Sequence, residues 1–519
     1  MVHTSQMDGA PGSGFGLLAA NAGHAFEAVA DPESALVREW NDLIEWALGN
    51  PIELPAPASS EEAPEDGDDQ EHLQAQKSDV VEGTIEAQPD PKEERGRETG
   101  ARAAEVTDEE PFQAPVAVTV PQEEEHNVLP DDNSFVGGIR GDGVRFGVGR
   151  VFGTLGAATA DYWPGNTELN QMNIGVVGDL GTGKTQLLKA LVYQLREGSK
   201  SNQETPLSML VFDYKRDFQS TDFLEAVGGR VLNPYRIPIN IFSLRNGYSP
   251  LAAYQRAQQF ADVLDKIYGN IGPVQTDRLV TSIVNLYKEK HGEPPTLPEV
   301  LAEYSNGQKP DAVTSILKPF ILGEIFSDDP KEMMSFEEMM EDKVVIVALN
   351  DFGTDDNGKN ALVVMFLNLY YDYMLNATKW PFVGNSPQLR RLNSFLLVDE
   401  AVNIMKYNFP VLMNLMLQGR EFGFGVILAS QYLDHFKKDG RNYGQPLLTW
   451  FLHKVPSVTL KELQALGLPN ITADIASKIS SQKVHHALYS SLNFSGKFIE
   501  EVPFFKLLSD KADGTTNGS

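Results

Sequence analysis

Three features of the 519-residue sequence predict an α/β chain built on a mostly parallel sheet. Short apolar runs of strand length alternate with helical stretches along most of residues 135–508. One run opens into a glycine-rich loop followed by a helix-patterned segment, and another, at 393–401, ends in adjacent carboxylates. Alternation of this kind belongs to sheets covered by helices on both faces.

The loop comes first in the chain. Asn173-Ile174-Gly175-Val176-Val177 is a buried-strand run, and the residues from Gln186 to Leu195 have helical periodicity. Between them stands Gly178-Asp179-Leu180-Gly181-Thr182-Gly183-Lys184-Thr185, which is G-x-x-x-x-G-K-T in its strand–loop–helix setting, a P-loop or Walker A sequence. Glycines let backbone N–H groups turn inward around phosphate oxygens, and the helix N-terminus adds its positive end. Residues Gly178 to Gln186 therefore read as a nucleotide cradle. Lys184 supplies a point charge to the β and γ phosphates, and the Thr185 hydroxyl is a Mg2+ ligand.

Asn393-Ser394-Phe395-Leu396-Leu397-Val398-Asp399-Glu400-Ala401 is the Walker B counterpart. Asp399 is placed to hold the Mg2+ shell, and Glu400, at the strand tip, to activate a water against the γ-phosphate. The second carboxylate favours hydrolysis over transfer to a small acceptor. Downstream, Gly423-Phe424-Gly425-Val426-Ile427-Leu428-Ala429-Ser430-Gln431 reads as another buried strand. Strand C-termini line the ligand crevice of a parallel sheet, so Gln431 is a sensor of the γ-phosphate or of the attacking water, or else a helix N-cap after the strand. Ser430 reads better in the capping role. Residues 207–213, 343–349 and 447–455 supply further strands, and 361–375 a long apolar helix. No N-K-x-D guanine reader follows the loop, and no L-S-G-G-Q-like run precedes the acidic strand, which leaves ATP as the expected nucleotide.

Charge divides the chain. It carries 72 acidic and 43 basic side chains, a formal −29, yet residues 1–134 hold 31 of the acids and only 6 of the bases. Residues 59–134 are poor in aromatics and without apolar period, so they are expected to be a disordered acidic linker, a docking arm, or a mimic of nucleic-acid charge. Residues 33–48 form one short amphipathic stretch within an N-terminal segment 1–58, read as a docking peptide. Residues 509–519 read as a disordered tail. With no cysteine there is no disulfide framework and no thiolate chemistry. No run approaches the roughly 18 apolar residues of a membrane span, and no secretory signal opens the chain, so a soluble cytoplasmic protein is expected.

The motif series resembles the HerA/FtsK superfamily of hexameric DNA-pumping ATPases, on the HerA side. The matching residues are the loop, Asp213-Tyr214-Lys215, Leu232-Asn233-Pro234, the strand at 344–349, Leu397-Val398-Asp399-Glu400-Ala401, and Gln418-Gly419-Arg420-Glu421-Phe422-Gly423 running into Ala429-Ser430-Gln431. They span roughly residues 145–508. The stretches Asp213-Tyr214-Lys215-Arg216-Asp217-Phe218 and Asn233-Pro234-Tyr235-Arg236-Ile237-Pro238 are also similar to the DptH-type ATPase modules of phosphorothioation-dependent restriction. The resemblance implies a RecA/FtsK-like P-loop fold, with the helical stretch at about 246–340 as an insertion. It further implies a ring with ATP and Mg2+ between neighbours and DNA in the pore. Arg420 becomes the candidate finger for the next subunit's γ-phosphate, against a local pairing with Glu421, and Arg216 is a weaker one. The β-barrel that precedes many such domains does not fit in residues 134–164.

Local basic groups would have to meet the DNA backbone. Candidates are Lys437, Lys438 and Arg441, and the Arg390-Arg391 pair; nothing in the sequence reads bases or stacks single strands. His485-His486 reads as a surface pair, lacking partners at metal-ligand spacing. The leading expectation is an ATP-driven DNA translocase or helicase working with a partner nuclease in end processing or defence. The alternative is an ATP-switched scaffold that recruits an effector without moving DNA.

Overall fold

The computed structural model describes residues 141–512, apart from residues 142, 153–157, 203–204, 439–440, 469–470 and 493. The expected docking peptide at 33–48 and the acidic linker at 59–134 lie outside the described residues.

The described chain opens with a hairpin, β1 (Phe146–Val151) and β2 (Thr159–Tyr162). Then follow β3 (Ile174–Val177), α1 (Lys184–Gly198), β4 (Ser208–Asp213), α2 (Thr221–Val227) and β5 (Gly229–Leu232). Five helices come next: α3 (Pro250–Tyr268), α4 (Pro273–Glu289), α5 (Leu297–Ser305), α6 (Ala312–Leu322) and α7 (Phe336–Met340). The chain returns to the sheet through β6 (Val344–Ala348), α8 (Asp356–Asn376), β7 (Ser394–Val398), α9 (Val402–Met405), α10 (Pro410–Gln418) and β8 (Phe424–Ser430). A small hairpin, β9 (Lys437–Lys438) with β10 (Arg441–Asn442), leads to β11 (Thr449–Leu452). The last elements are α11 (Leu460–Ala465), α12 (Ala473–Ser480), β12 (His486–Ser491), β13 (Phe494–Glu501) and α13 (Phe504–Ala512).

One sheet organises these elements, in the order β2-β1-β13-β12-β11-β3-β8-β7-β4-β6-β5. From β11 to β5 every pairing is parallel. Beyond β11 the sheet continues through antiparallel pairings to β12, β13, β1 and β2. The expectation of a mostly parallel α/β sheet holds. Residues 134–164, too short for a barrel, supply only the outer strands β1 and β2 of this antiparallel wing.

The parallel strands are apolar because both of their faces are covered. Alternate side chains of β4 go to opposite cores: Leu210 and Phe212 face one, Met209 and Val211 the other. The first core contains α3 to α8, the second α1, α2 and Phe504 of α13. The helices between β5 and β6 are bounded by their own caps. Ser249 accepts from Ala252 N at 3.1 Å ahead of Pro250, and Thr296 with Glu299 and Ser335 with Glu338 form capping boxes. Helix α8 is buried on most of its sides from Gly358 to Tyr370, and Arg256 of α3 is ion-paired to its Asp372. Helix α13 runs on to Ala512, so the stretch read as a tail from residue 509 starts as helix. Among the described residues no helix is long and apolar enough to cross a membrane.

Candidate nucleotide site

The glycine-rich loop is slung between two strand ends. Gly178 N donates to Ser430 O of β8 at 3.3 Å, and Asp179 N to Lys454 O beyond β11 at 2.9 Å. Inside the loop, Thr182 Oγ1 donates to Asp179 O at 2.8 Å and Leu180 N to Asp179 Oδ1 at 2.8 Å. Gly183, at φ 109, turns the chain into α1, whose N-terminus carries no side-chain cap. Its first N–H groups are thus left to an anion. Lys184 lies back along the loop, donating to the carbonyls of Gly178 at 2.5 Å and Asp179 at 3.0 Å. Burial holds its ammonium below the usual lysine range, against the pull of Asp399 and Glu400.

Two strands over, Glu400 leaves the end of β7 in a left-handed conformation, φ 57, which costs a non-glycine residue about 1–3 kcal/mol and is typical of working sites. Ala401 N is tied to Ala429 O of β8 at 2.8 Å, which fixes the turn. The Glu400 carboxylate is ion-paired to Lys215 and accepts from Gln431 Nε2 at 3.3 Å. Asp399 is 5 % exposed; burial, and then the charge of Glu400, push its carboxyl up to about 7. The loop after β4 comes in from the third side. Thr185 Oγ1 lies 3.5 Å from Asp217 Oδ2, and burial and the nearby Asp213 raise the Asp217 carboxyl.

The structure thus gathers Lys184, Thr185, Asp399, Glu400 and Gln431 at the C-terminal ends of β3, β7 and β8. Gln431 contacts Glu400 and does not cap a helix. Ser430 is not a cap either: its hydroxyl pairs with His435 Nδ1 at 2.6 Å. A hydroxyl with neighbouring buried carboxylates, whose charge burial disfavours, is the donor chemistry of a Mg2+ site that takes its remaining ligands from phosphate and water. Thr185 and Asp399 would hold the ion.

Several site residues escaped the sequence reading. In the sequence Lys215 stands only as part of the Asp213-Tyr214-Lys215 run. The buried Asp213 carboxylate accepts from the N–H groups of Lys215, Asp217 and Phe218 at 3.2, 2.9 and 3.0 Å, and so moulds the loop that presents Lys215 and Asp217. Partial burial works against the Lys215 charge, but the bonded Glu400 outweighs it and leaves the ammonium above its usual range. The sequence signal for this was an acidic residue ending a strand, followed by a charged run.

His485 differs from the expectation as well. Instead of sitting in a surface pair, it donates its backbone N–H to Thr182 O at 3.0 Å and packs its ring against Gly183. Nearby, His453 pairs with Glu501 at 2.9 Å, fully buried, under Gly178. His486 instead stacks on Phe152 with ring centroids 5.0 Å apart.

Other candidates lie apart from the crevice. Arg420 precedes β8 and donates to Asn170 O and Oδ1 at 3.3 Å, at the N-terminal rim of the sheet. Glu421, its alternative partner, pairs with Lys379 instead. Arg390 is no surface group for DNA. It is 2 % exposed, donates to Asn166 O at 3.0 Å and Leu169 O at 2.6 Å, and is lowered to about 10 by burial and then by Arg420. Arg391 lies over the Trp380 ring at 4.5 Å. Lys437 is exposed, and Lys438 is in register with Arg441 in the β9-β10 hairpin beyond the end of β8. Arg216 is exposed at φ 67 beside Lys215.

The crevice thus has a phosphate loop on one parallel strand, an acid-tipped strand two places away and a glutamine-tipped strand between them, on a fold that solved structures share. Among solved structures, VirB4 of Thermoanaerobacter pseudethanolicus shares it with a TM-score of 0.54 at 16 % identity, over 70 % of this chain and 97 % of that one. The plasmid coupling protein TrwB in complex with ADP and Mg2+ scores 0.41 at 15 % identity, over 64 % and 84 %. The genome packaging NTPase B204 from Sulfolobus turreted icosahedral virus 2 scores 0.29 at 12 %, over 66 % and 97 %. No family model and no curated protein matches the sequence.

Proposed function

We propose that this chain is a Mg2+-dependent ATPase that works as a ring, a hexamer in the first instance, to move along or unwind DNA. The convergence of Lys184, Asp399, Glu400 and Gln431 on one crevice carries the reading. Bound Mg2+ would draw charge from the phosphates. Lys184 releases the loop carbonyls to hold the β and γ oxygens, Glu400 takes the proton of the attacking water, and Gln431 keeps the Glu400 carboxylate turned toward it. Arg420, at the other rim of the sheet, acts on a neighbouring copy's phosphate. That rim holds a second guanidinium, Arg390, whose charge is repelled by that of Arg420. Exposed Lys437, with Lys438 and Arg441 in the same hairpin, is the candidate contact with the DNA backbone, insensitive to sequence. A partner nuclease, in end processing or antiviral defence, would use the movement.

The test is phosphate release with Mg-ATP, with and without duplex DNA. Lys184→Ala is expected to abolish nucleotide binding. Glu400→Gln should bind ATP and hydrolyse it about 10²–10⁴-fold more slowly. Persistent hydrolysis in both variants would overturn the site. Tracking single complexes on DNA then separates a motor from the ATP-switched scaffold: steady displacement supports the former, static ATP-dependent binding the latter.

A further inference from the structure

The phosphate chain of a bound nucleotide has two ends, and only one is accounted for above. Glu400, Gln431 and Lys215 fix the γ end on the side of β3 that faces β8, β7 and β4. The nucleoside must leave on the other side, toward β11, β12 and β13. There the C-terminal strands return to the loop. Antiparallel pairing of His486 with Glu500 sets the start of β12 and the end of β13 at the same rim as the loop. His485 is bonded to Thr182 O and its Nδ1 is shielded, with no hydrogen-bond partner among the described residues. Phe505 stands in the first turn of α13. Its N–H donates to the Gln186 side chain at 3.4 Å, placing it at the first turn of α1, and its ring meets the His485 ring edge-on at 5.9 Å.

Phe505 is 49 % exposed, whereas its neighbour Phe504 is buried among Tyr193 and Phe223, with centroids at 5.8 and 5.4 Å. Phe504 therefore anchors the helix and fixes where the Phe505 ring stands. An aromatic face held rigidly beside a phosphate loop and left in water is a stacking surface.

We propose that the Phe505 ring, with His485 closing it against Gly183, is the seat of the nucleoside base of the bound triphosphate. The proposal rests on the loop from Gly178 to Thr185 being the phosphate cradle. Contact through a ring face favours nucleobases as a class over bare polyphosphate.

Calorimetric titration of the full chain with Mg-ATP and with Mg-tripolyphosphate tests it. Phe505→Ala is expected to weaken ATP about tenfold, the scale of one base–aromatic stack, while leaving tripolyphosphate unchanged. Phe505→Trp should restore ATP binding. Unaltered ATP affinity in F505A, or an equal loss for both ligands, would overturn the seat. Lys184→Ala is the separate arm: if it leaves tripolyphosphate binding intact, the phosphate reading itself fails, whatever F505A does. Because Phe505 is half exposed, F505A should melt with the parent, and a melting curve run alongside checks this.

Discussion

The ammonium of Lys215 is ion-paired with the carboxylate of Glu400, a contact between residues 185 positions apart that joins the ends of β4 and β7. If Glu400 is the base proposed above, it must give up a partner before it can take a proton from water. Pairs with one half-exposed member contribute about 0.2–1 kcal/mol, which corresponds to at most about fivefold in rate. Lys215→Met should therefore raise DNA-independent ATP turnover by up to about fivefold, read as steady-state phosphate release. A fall of tenfold or more would instead assign Lys215 to the nucleotide.

Asp399 gives the site a pH dependence. Its native pKa of about 7 stands above the unfolded value, so the native chain binds the extra proton between roughly pH 4 and 7. Stability of the ligand-free protein falls as pH rises through that window, and the cost is fully present above it. A cation offsets that cost, so the rise in Tm caused by Mg-ADP should be larger at pH 8 than at pH 6. Asp399→Asn should flatten the ligand-free curve. Equal Mg-ADP shifts at both pH values would remove Asp399 from the metal site.

Arg420 is testable by mixing. Arg420→Ala and Glu400→Gln should each be inactive alone. If Arg420 serves a neighbour, mixed assemblies contain interfaces with an intact Glu400 on one side and an intact Arg420 on the other, and ATPase activity should partly return. No recovery in assemblies shown to be mixed would place Arg420 outside the reaction.

Gly175 in β3 has a packing role. A methyl there would fall 2.3 Å from Trp450 Cζ3 on the adjoining β11, and Trp450 is 1 % exposed. Gly175→Ala should destabilise the fold by about 1–3 kcal/mol, visible as a lowered Tm. An unchanged Tm would mean that the β3-β11 contact is looser than the structure has it.

The sequence was most legible where chemistry is local. The loop, the acid-tipped strand and the glutamine-tipped strand are contiguous runs with fixed neighbours, and the helices from Pro250 to Met340 announce their own caps. The antiparallel wing was not legible, because β13, Phe494–Glu501, is only half buried and pairs with β1 from the other end of the described chain. Its pattern gave no hint that it would bring His485 and Phe505 to the loop. Arg390 misled for the opposite reason. Two adjacent arginines look like surface charge, and only the tertiary fold shows one of them sealed over the carbonyls of Asn166 and Leu169.

The division of Lys184 and Arg420 between opposite rims of one sheet restricts how copies could cooperate. A two-fold pair brings like surface to like, and would set one cleft against another with both arginines turned away. A head-to-tail contact joins cleft to arginine, and each copy added leaves one of each unsatisfied until the series closes on itself. Such an assembly would have a direction built in, since every subunit would answer to the nucleotide on one flank and act on the nucleotide of the other.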